Sequence, residues 1–201
     1  MLTLRQLTLW LLLSVLTGCA TMEQRATTTA NWKAHREQLI ALTQWTASGK
    51  LAVRTRDASE SASMVWRQQD QNTQLQLSGP LGVGAMTIES DGKRLDIHQG
   101  DEHQTLDIST PDAIYTNTGW DLPLQALSHW LKGLPSPDTS VQHLELDPQT
   151  ELLHSLTQDD WEVLYETYKQ FQDYSLPTRL LIRRGTTRAR VIISKWQTES
   201  D

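Results

Sequence analysis

The residue types that most often carry enzymatic chemistry are present in this 201-residue chain, but their spacing fits no catalytic pattern. No two of the six histidines stand four residues apart, and Cys19 is the single cysteine, so the usual zinc-ligand spacings are missing. Gly82-Val83-Gly84 is followed by Thr87, where a dinucleotide-binding loop needs a third glycine. Asp159 and Asp160 are adjacent, so on a strand their carboxylates point to opposite faces. We therefore predict a protein that is not an enzyme, with no cofactor and no metal.

Cys19 nevertheless stands where a covalent modification fits. Arg5 precedes an apolar stretch over residues 7–16, and Leu16-Thr17-Gly18-Cys19 follows it. A basic start, about ten apolar residues and a small-residue cleavage point are typical of a secretory signal, whereas a membrane-spanning helix needs about 20 residues. The run before Cys19 resembles the lipobox of bacterial lipoproteins. This resemblance implies a signal peptide over residues 1–18, cleavage before Cys19 and acyl chains on that cysteine.

The residues after Cys19 indicate the membrane and the tether. Ala20 and Thr21 follow the cysteine, whereas an aspartate there marks inner-membrane retention in enteric-type lipoproteins. The resemblance therefore implies a lipid-anchored protein of the outer membrane that faces the periplasm. Each buried CH₂ contributes about 0.8 kcal/mol, so two or three acyl chains anchor a protein permanently. Residues 19–30 are small, polar and aperiodic, which predicts a lipidated flexible tether.

Charge and composition limit the partners. The formal net charge is −6, and loss of Arg5 with the signal makes the mature chain more acidic. Because the chain has no basic cluster in its sequence, we expect no nucleic-acid binding and no electrostatic grip on anionic lipid. Eight tryptophans against one phenylalanine suggest wide apolar surfaces that carry an indole N–H.

Hydrophobic periodicity predicts one mainly β domain over residues 31–198. A first helix is predicted to begin at Asn31, because apolar residues up to Trp45 recur at helical spacing, and to end at Gly49. A second helix is predicted between Thr110 and Gly119, and a third between Pro123 and Gly133. Alternating patterns predict about eleven strands beside these three short helices, with hairpin turns at 91–92, 99–101 and 185. Such a long antiparallel sheet must curl, so we predict an incomplete barrel whose concave side is plugged by the helices.

One apolar face of the predicted sheet and one helix are the candidate ligand cavity. A half-barrel of this size can hold a ligand, and methionine and tryptophan suit surfaces that re-pack. An ordinary solid core is the alternative that composition leaves open. The candidate lining residues are Met64, Trp66, Leu75, Leu77, Met86, Ile88, Leu95 and Ile97 on strands, and Leu127, Trp130 and Leu131 on the helix.

A leucine stands at the tip of one predicted turn. Pro80 suits the second position of a turn, which puts Leu81 third and Gly82 fourth. A type I turn is favoured because type II would require a positive φ at the leucine. This geometry predicts a side chain that projects from the sheet, and the alternative is a leucine folded back onto the barrel rim.

Several stretches together resemble the LolB family, the outer-membrane lipoprotein receptors of Gram-negative bacteria. They are W-T-A-S-G-K-L-A-V (45–53), S-M-V-W-R-Q (63–68), L-Q-L-S-G-P-L-G (75–82), G-W-D-L-P-L-Q-A-L-S-H-W-L-K-G-L-P (119–135), W-E-V-L-Y (161–165) and L-P-T-R-L (176–180). The resemblance implies a LolA/LolB-like half-barrel whose apolar cavity is plugged by helices. It also implies a monomer that accepts lipoproteins from the periplasmic carrier LolA and inserts their acyl chains into the inner leaflet of the outer membrane.

The same resemblance assigns a role to the turn. In the family, an exposed apolar residue on a loop between two early strands is needed for membrane insertion, and Leu81, flanked by Pro80 and Gly82, stands at that position. Three alternatives stay open, one of them an enzyme that acts on envelope lipids or glycans. A soluble carrier would lack the acylated Cys19, and a scaffolding lipoprotein of an envelope-assembly complex would have a solid core and no lipid cargo.

Overall fold

The computed structural model describes residues 20–82, 84–108 and 123–198. Cys19, the signal peptide and the helix predicted from Thr110 to Gly119 lie outside these residues. The chain divides between Glu37 and Gln38 into two compact units. The assignment of residues 31–198 to one domain therefore stays a prediction. No helix in the described ranges is long and apolar enough to cross a membrane.

The first helix, α1 (Ala20–Ala41), starts and ends earlier than the sequence predicted. The predicted start at Asn31 is wrong because the alanine, methionine, glutamate, glutamine and arginine of residues 20–30 are good helix formers without an apolar stripe. The predicted end near Gly49 is wrong as well, since Trp45 and Gly49 lie on the first strand. The role of residues 19–30 as a flexible tether remains a prediction, and residues 20–30 are helical.

Eleven antiparallel strands form a single open sheet, as predicted. They run in the spatial order β6-β5-β4-β3-β2-β1-β11-β10-β9-β8-β7, so β6 and β7 are the edges of the sheet that the described residues form, and the barrel is incomplete. The strands are β1 (Gln44–Arg54), β2 (Ser59–Gln69), β3 (Asn72–Ser78), β4 (Met86–Ser90), β5 (Arg94–Gln99), β6 (Glu102–Asp107), β7 (Val141–Leu146), β8 (Leu153–Gln158), β9 (Trp161–Phe171), β10 (Tyr174–Arg184) and β11 (Thr187–Thr198).

Tight turns fix the register of the predicted hairpins. Between β4 and β5, the Asp91 carboxylate accepts the backbone N–H groups of Lys93 and Arg94 at 2.9 and 2.7 Å, and Gly92 takes a positive φ of 87°. These are the contacts that an Asp-Gly turn requires, because the aspartate bonds its own loop and glycine adopts positive φ without strain.

A second helix, α2 (Leu124–Trp130), covers part of the sheet's inner face, as the sequence predicted. It follows Pro123 and ends before Gly133, whose φ is +83°. Leu127 of α2 lines one small cavity together with residues from β1, β2, β3, β10 and β11. The sheet therefore curls so that strands on both sides of its centre meet the same helix. The described residues contain these two α-helices where three were predicted.

Gly49 marks the closest approach between two strands at the centre of the sheet. The pairing of β1 with β11 shifts register between Ser48 and Gly49, which is a β-bulge. A Cβ atom added at Gly49 would lie 1.9 Å from the carbonyl oxygen of Ile192. Glycine is therefore required here by backbone contact.

We expect Gly49→Ala to lower the free energy of unfolding by about 3 kcal/mol or more, because backbone on β11 must move to admit the methyl group. Chemical denaturation monitored by tryptophan fluorescence measures the loss. Gly185→Ala is the control, since a Cβ at this turn meets open space despite the positive φ of 55°. Equal stability of the two variants would contradict the close approach.

Candidate functional site

The strand register places all eight candidate cavity residues of the sheet on its inner face. Directly paired residues of antiparallel strands share a face, and so do alternate residues of one strand. One cross-strand row is Trp66–Leu75–Ile88–Ile97, a second is Met64–Leu77–Met86, and Leu95 lies opposite Leu106.

A small cavity of about 20 Å³ lies between this face and α2. This volume is that of about one water molecule, and the wall is apolar. Five candidate residues line it, namely Met64, Trp66, Leu75, Leu127 and Leu131. The centre of the half-barrel is therefore packed like an ordinary core.

A much larger groove of about 800 Å³ opens beside α2. Leu75, Ile88 and Leu95 line it from the sheet, and Leu124 lines it from the helix. Polar residues near the end of α1 and the end of α2 also border the groove. Its volume falls in the range of about 300–1,000 Å³ that is typical of small-molecule sites.

Four candidate residues line neither cavity. Leu77 is buried and Met86 and Ile97 are partly buried on the inner face, beyond both cavities. Trp130 is 1% exposed and packs against Trp161, with ring centroids 6.3 Å apart. The structure therefore brings seven of the eleven candidates to a cavity wall and places Trp130 in the core.

Buried amides hold the tryptophans through their indole N–H groups. Trp66 Nε1 donates to Gln68 Oε1 at 3.0 Å, and Trp130 Nε1 donates to Gln158 Oε1 at 2.9 Å. Gln158 is fully buried and its amide nitrogen donates to the carbonyl oxygens of Ser136 and Thr139. These hydrogen bonds satisfy the indole N–H groups of Trp66 and Trp130, so both rings are held in fixed positions.

Trp45 is a wall residue of the groove that sequence analysis placed on a helix. Its ring stacks on Trp66 at 6.3 Å and contacts Trp196 at 5.2 Å between centroids. The side chain is 2% exposed, and its Nε1 finds no acceptor among the described residues. A buried unpaired N–H costs about 1–3 kcal/mol, so Trp45 is a destabilising position in an otherwise well-packed part of the sheet.

Lys132 puts a positive charge into the groove wall. It is 6% exposed, and Nζ donates to the carbonyl oxygens of Leu39 at 2.9 Å and Leu42 at 2.8 Å, at the C-terminal end of α1. Burial lowers the pKa of Lys132 to about 8. Burial also lowers the pKa of His129, one turn earlier in the same wall. Sequence analysis missed Lys132, because lysine after a short helix is usually a solvated residue that favours the helix dipole.

The lowered pKa of Lys132 predicts a pH dependence of stability. Between about pH 8 and 10.5 the unfolded chain binds a proton that the folded protein has lost, so stability rises with pH. Burial raises the pKa values of Tyr165 and Tyr168, which reverses the trend above about pH 10. We expect the free energy of unfolding to increase by about 1 kcal/mol from pH 8 to pH 10, because the gain from Lys132 is partly offset by the two tyrosines near pH 10.

Urea denaturation at several pH values measures this increase. Lys132→Met, which cannot titrate, should show no rise over the same interval and a slight fall near pH 10 from the two tyrosines. A rise of equal size in both proteins would mean that Lys132 is not its source.

The turn that carries Leu81 has the predicted backbone. Residues Pro80–Gly82 form one turn of 3-10 helix between β3 and β4, and the N–H of Gly82 donates to the carbonyl oxygen of Gly79 at 3.0 Å. A 3-10 turn has the dihedral angles of a type I turn, so that prediction is confirmed. Pro80 and Gly82 are exposed. The outward projection of the Leu81 side chain remains a prediction.

An open antiparallel half-barrel with a helix on its inner face defines the LolA-like class of fold. A solved LolA superfamily protein from Nitrosomonas europaea has a TM-score of 0.57 at 8% identity, covering 84% of this chain and 94% of its own. A putative outer membrane lipoprotein-sorting protein domain from Vibrio parahaemolyticus has a TM-score of 0.57 at 11% identity, covering 87% and 92%. These likenesses establish the fold.

The sequence relatives establish the family. The family model described as outer membrane lipoprotein LolB matches residues 43–196, so the chain belongs to the LolB family. The relative named outer-membrane lipoprotein LolB from Alkalilimnicola ehrlichii is 38% identical over 90% of this chain and 91% of its own length. The relative of the same name from Tolumonas auensis is 32% identical over 96% and 97%.

Proposed function

We propose that this protein accepts lipoproteins from the periplasmic carrier LolA and inserts their acyl chains into the inner leaflet of the outer membrane. It does so as a monomer anchored through acyl chains on Cys19 and facing the periplasm, without catalysing a reaction. Membership of the LolB family supports the role of an outer-membrane lipoprotein. The groove beside α2 is the observation that supports lipid acceptance most directly.

The groove combines the two chemistries of an acylated cysteine. Leu75, Ile88 and Leu95 form an apolar wall for acyl chains. The side chains of Lys132 and Trp45 border the same space, and the Lys132 ammonium, which donates to two backbone carbonyls, has a third N–H for an ester or amide carbonyl oxygen. Burying a chain gains about 0.8 kcal/mol per CH₂, and this donor keeps its head group oriented.

Transfer requires a gradient of affinity and no nucleotide. A receptor can take cargo from a carrier only if it binds acyl chains more favourably, and it can release them only if the bilayer binds them better still. A partly open groove suits an intermediate position, because it buries acyl chains less completely than a bilayer does. The rim turn, residues Gly79–Gly82, is the proposed point of release.

Leu124→Trp should reduce acceptance of cargo, because the larger ring occupies space that both cavities share. Transfer of a labelled lipoprotein from purified carrier, and displacement of a fluorescent fatty acid, measure the loss; we expect about tenfold weaker binding. Val141→Trp is the control, since Val141 is 46% exposed on β7 and lines neither cavity. Absence of any fatty-acid binding by the unmodified protein would favour the scaffolding alternative.

Leu81→Glu should separate acceptance from insertion. Immersing one leucine in hydrocarbon gains about 1.5–3 kcal/mol, and a carboxylate at this tip would instead oppose contact with the bilayer. We expect normal uptake from the carrier and at least a tenfold slower delivery to liposomes. Leu81→Met, which keeps an apolar tip, should deliver normally. Delivery by the glutamate variant at the unmodified rate would show that the rim turn does not contact lipid.

A further inference from the structure

Basic residues are concentrated on five neighbouring strands of a protein whose net charge is −6. In the sheet order β3-β2-β1-β11-β10, these strands contain nine lysines and arginines and one acidic residue, Glu60. Five of the nine, Arg179, Arg183, Arg184, Arg188 and Arg190, lie within twelve residues of sequence, and strand pairing brings the distant Lys50 and Arg54 beside them. The sequence-based expectation that the chain lacks an electrostatic grip on anionic lipid therefore has to be re-examined on the folded surface.

Three arginines face one another across three adjacent strands. Arg54 on β1 pairs directly with Arg188 on β11, and Arg188 pairs directly with Arg183 on β10. Like charges in directly opposite positions destabilise a sheet. Arg183 is neutralised by Glu162, with Nε 2.6 Å from Oε2. Within the described residues, Arg54 and Arg188 are exposed and have no carboxylate partner.

A second set of cations extends this surface along the same strands. Lys50 on β1 and Arg179 on β10 both lie opposite Ile192, on the outer face. Arg179 and Arg190 share a single carboxylate, Glu166, at 3.9 and 3.8 Å, and both side chains are more than half exposed. The basic face, defined as Lys50, Arg54, Arg179, Arg183, Arg188 and Arg190, thus has six cations against two acidic neighbours.

The basic face reaches the end of the sheet that carries the rim turn. Ser78 at the end of β3 pairs with Ser63, and Ser59 of the same β2 strand pairs with Arg54. The chain leaving Ser78 toward the rim turn therefore runs in the direction of the arginine row. Strands are about 4.8 Å apart, so β1 lies about 10 Å from β3. A flat anionic surface that meets the rim turn can meet these arginines as well.

We propose that the basic face binds the phosphate groups of anionic phospholipids at the bilayer surface. This rests on the proposed function for the residence of the protein at a membrane. Arginine forks bind phosphate oxygens in pairs, which suits an open row of guanidinium groups without carboxylate partners. The face would hold the tethered domain with its rim turn toward the lipid. An acidic protein surface is the other possible occupant and is an outcome of the test.

A single-thiol label measures docking in the lipidated full-length protein. Cys19 is the only cysteine and carries the acyl chains under the proposed function, so Ser61→Cys provides the one free thiol. Ser61 lies opposite Ala52 on the outer face, between Lys50 and Arg54 in register. A fluorophore is attached to this thiol, and the vesicles contain a lipid whose head group carries a quencher. Quenching is compared between vesicles of phosphatidylcholine alone and vesicles in which about one quarter of the lipid is phosphatidylglycerol.

We expect quenching to be stronger with phosphatidylglycerol and to disappear at about 1 M salt, where the screening length falls to about 3 Å. The double variant Arg54→Gln/Arg188→Gln, which loses two positive charges, should have a ratio of docked to undocked protein about 30-fold lower. Lys93→Gln/Lys169→Gln removes the same charge from exposed positions off this face and should behave as the unmodified protein. The arginine variant should melt at the same or a higher temperature, because the cross-strand repulsion is gone.

Equal quenching in both kinds of vesicle, or unchanged quenching in the arginine variant, would overturn the proposal. An acidic protein partner is indicated if the arginine variant docks normally on vesicles but receives cargo from the carrier more slowly. The docking assay contains neither carrier nor cargo. Normal docking combined with failed transfer by the unmodified protein would therefore contradict the proposed function alone.

Discussion

The fold depends on covering the inner face of an open eleven-stranded sheet. That face is apolar across β1 to β5 and β8 to β11, and α2 has seven residues, or about 10 Å of helix. Eleven strands at about 4.8 Å spacing give a sheet about 50 Å wide when flat. Curling the sheet brings both halves to the same helix. Among the described residues, α2 covers only part of this apolar wall, and the groove lies beside it.

Hydrogen bonds to a few buried polar groups keep this covering in place. Lys132 ties the end of α2 to the carbonyl oxygens that end α1, and Gln158 ties Trp130 to the loop after α2. Each polar group is buried, so losing its partner would cost more than the bond itself contributes. Within the described part of the chain, the Trp45 indole N–H has no hydrogen-bond partner.

The two faces of the sheet carry different chemistry. The inner face is apolar and would contact acyl chains under the proposed function, whereas the outer face of β1, β10 and β11 carries the guanidinium groups proposed to bind phosphates. The rim turn stands at the end of the sheet that the arginine row also reaches. Alternation of side chains along each strand makes this separation possible, because successive residues must face opposite sides.

The sequence by itself determined the strands, the hairpin turns, the position of α2 and the type I turn at Leu81, since these follow from local periodicity and turn chemistry. It misplaced both ends of α1. The start was missed because residues 20–30 form helix without an apolar stripe, and the end was placed too late because Trp45, which lies on β1, continues the helical spacing. Only the tertiary structure decided which apolar residues line the groove, that Lys132 is buried, and that Arg54, Arg183 and Arg188 stand side by side. Those facts depend on strand register and sheet curvature, which join residues more than 100 positions apart in the sequence.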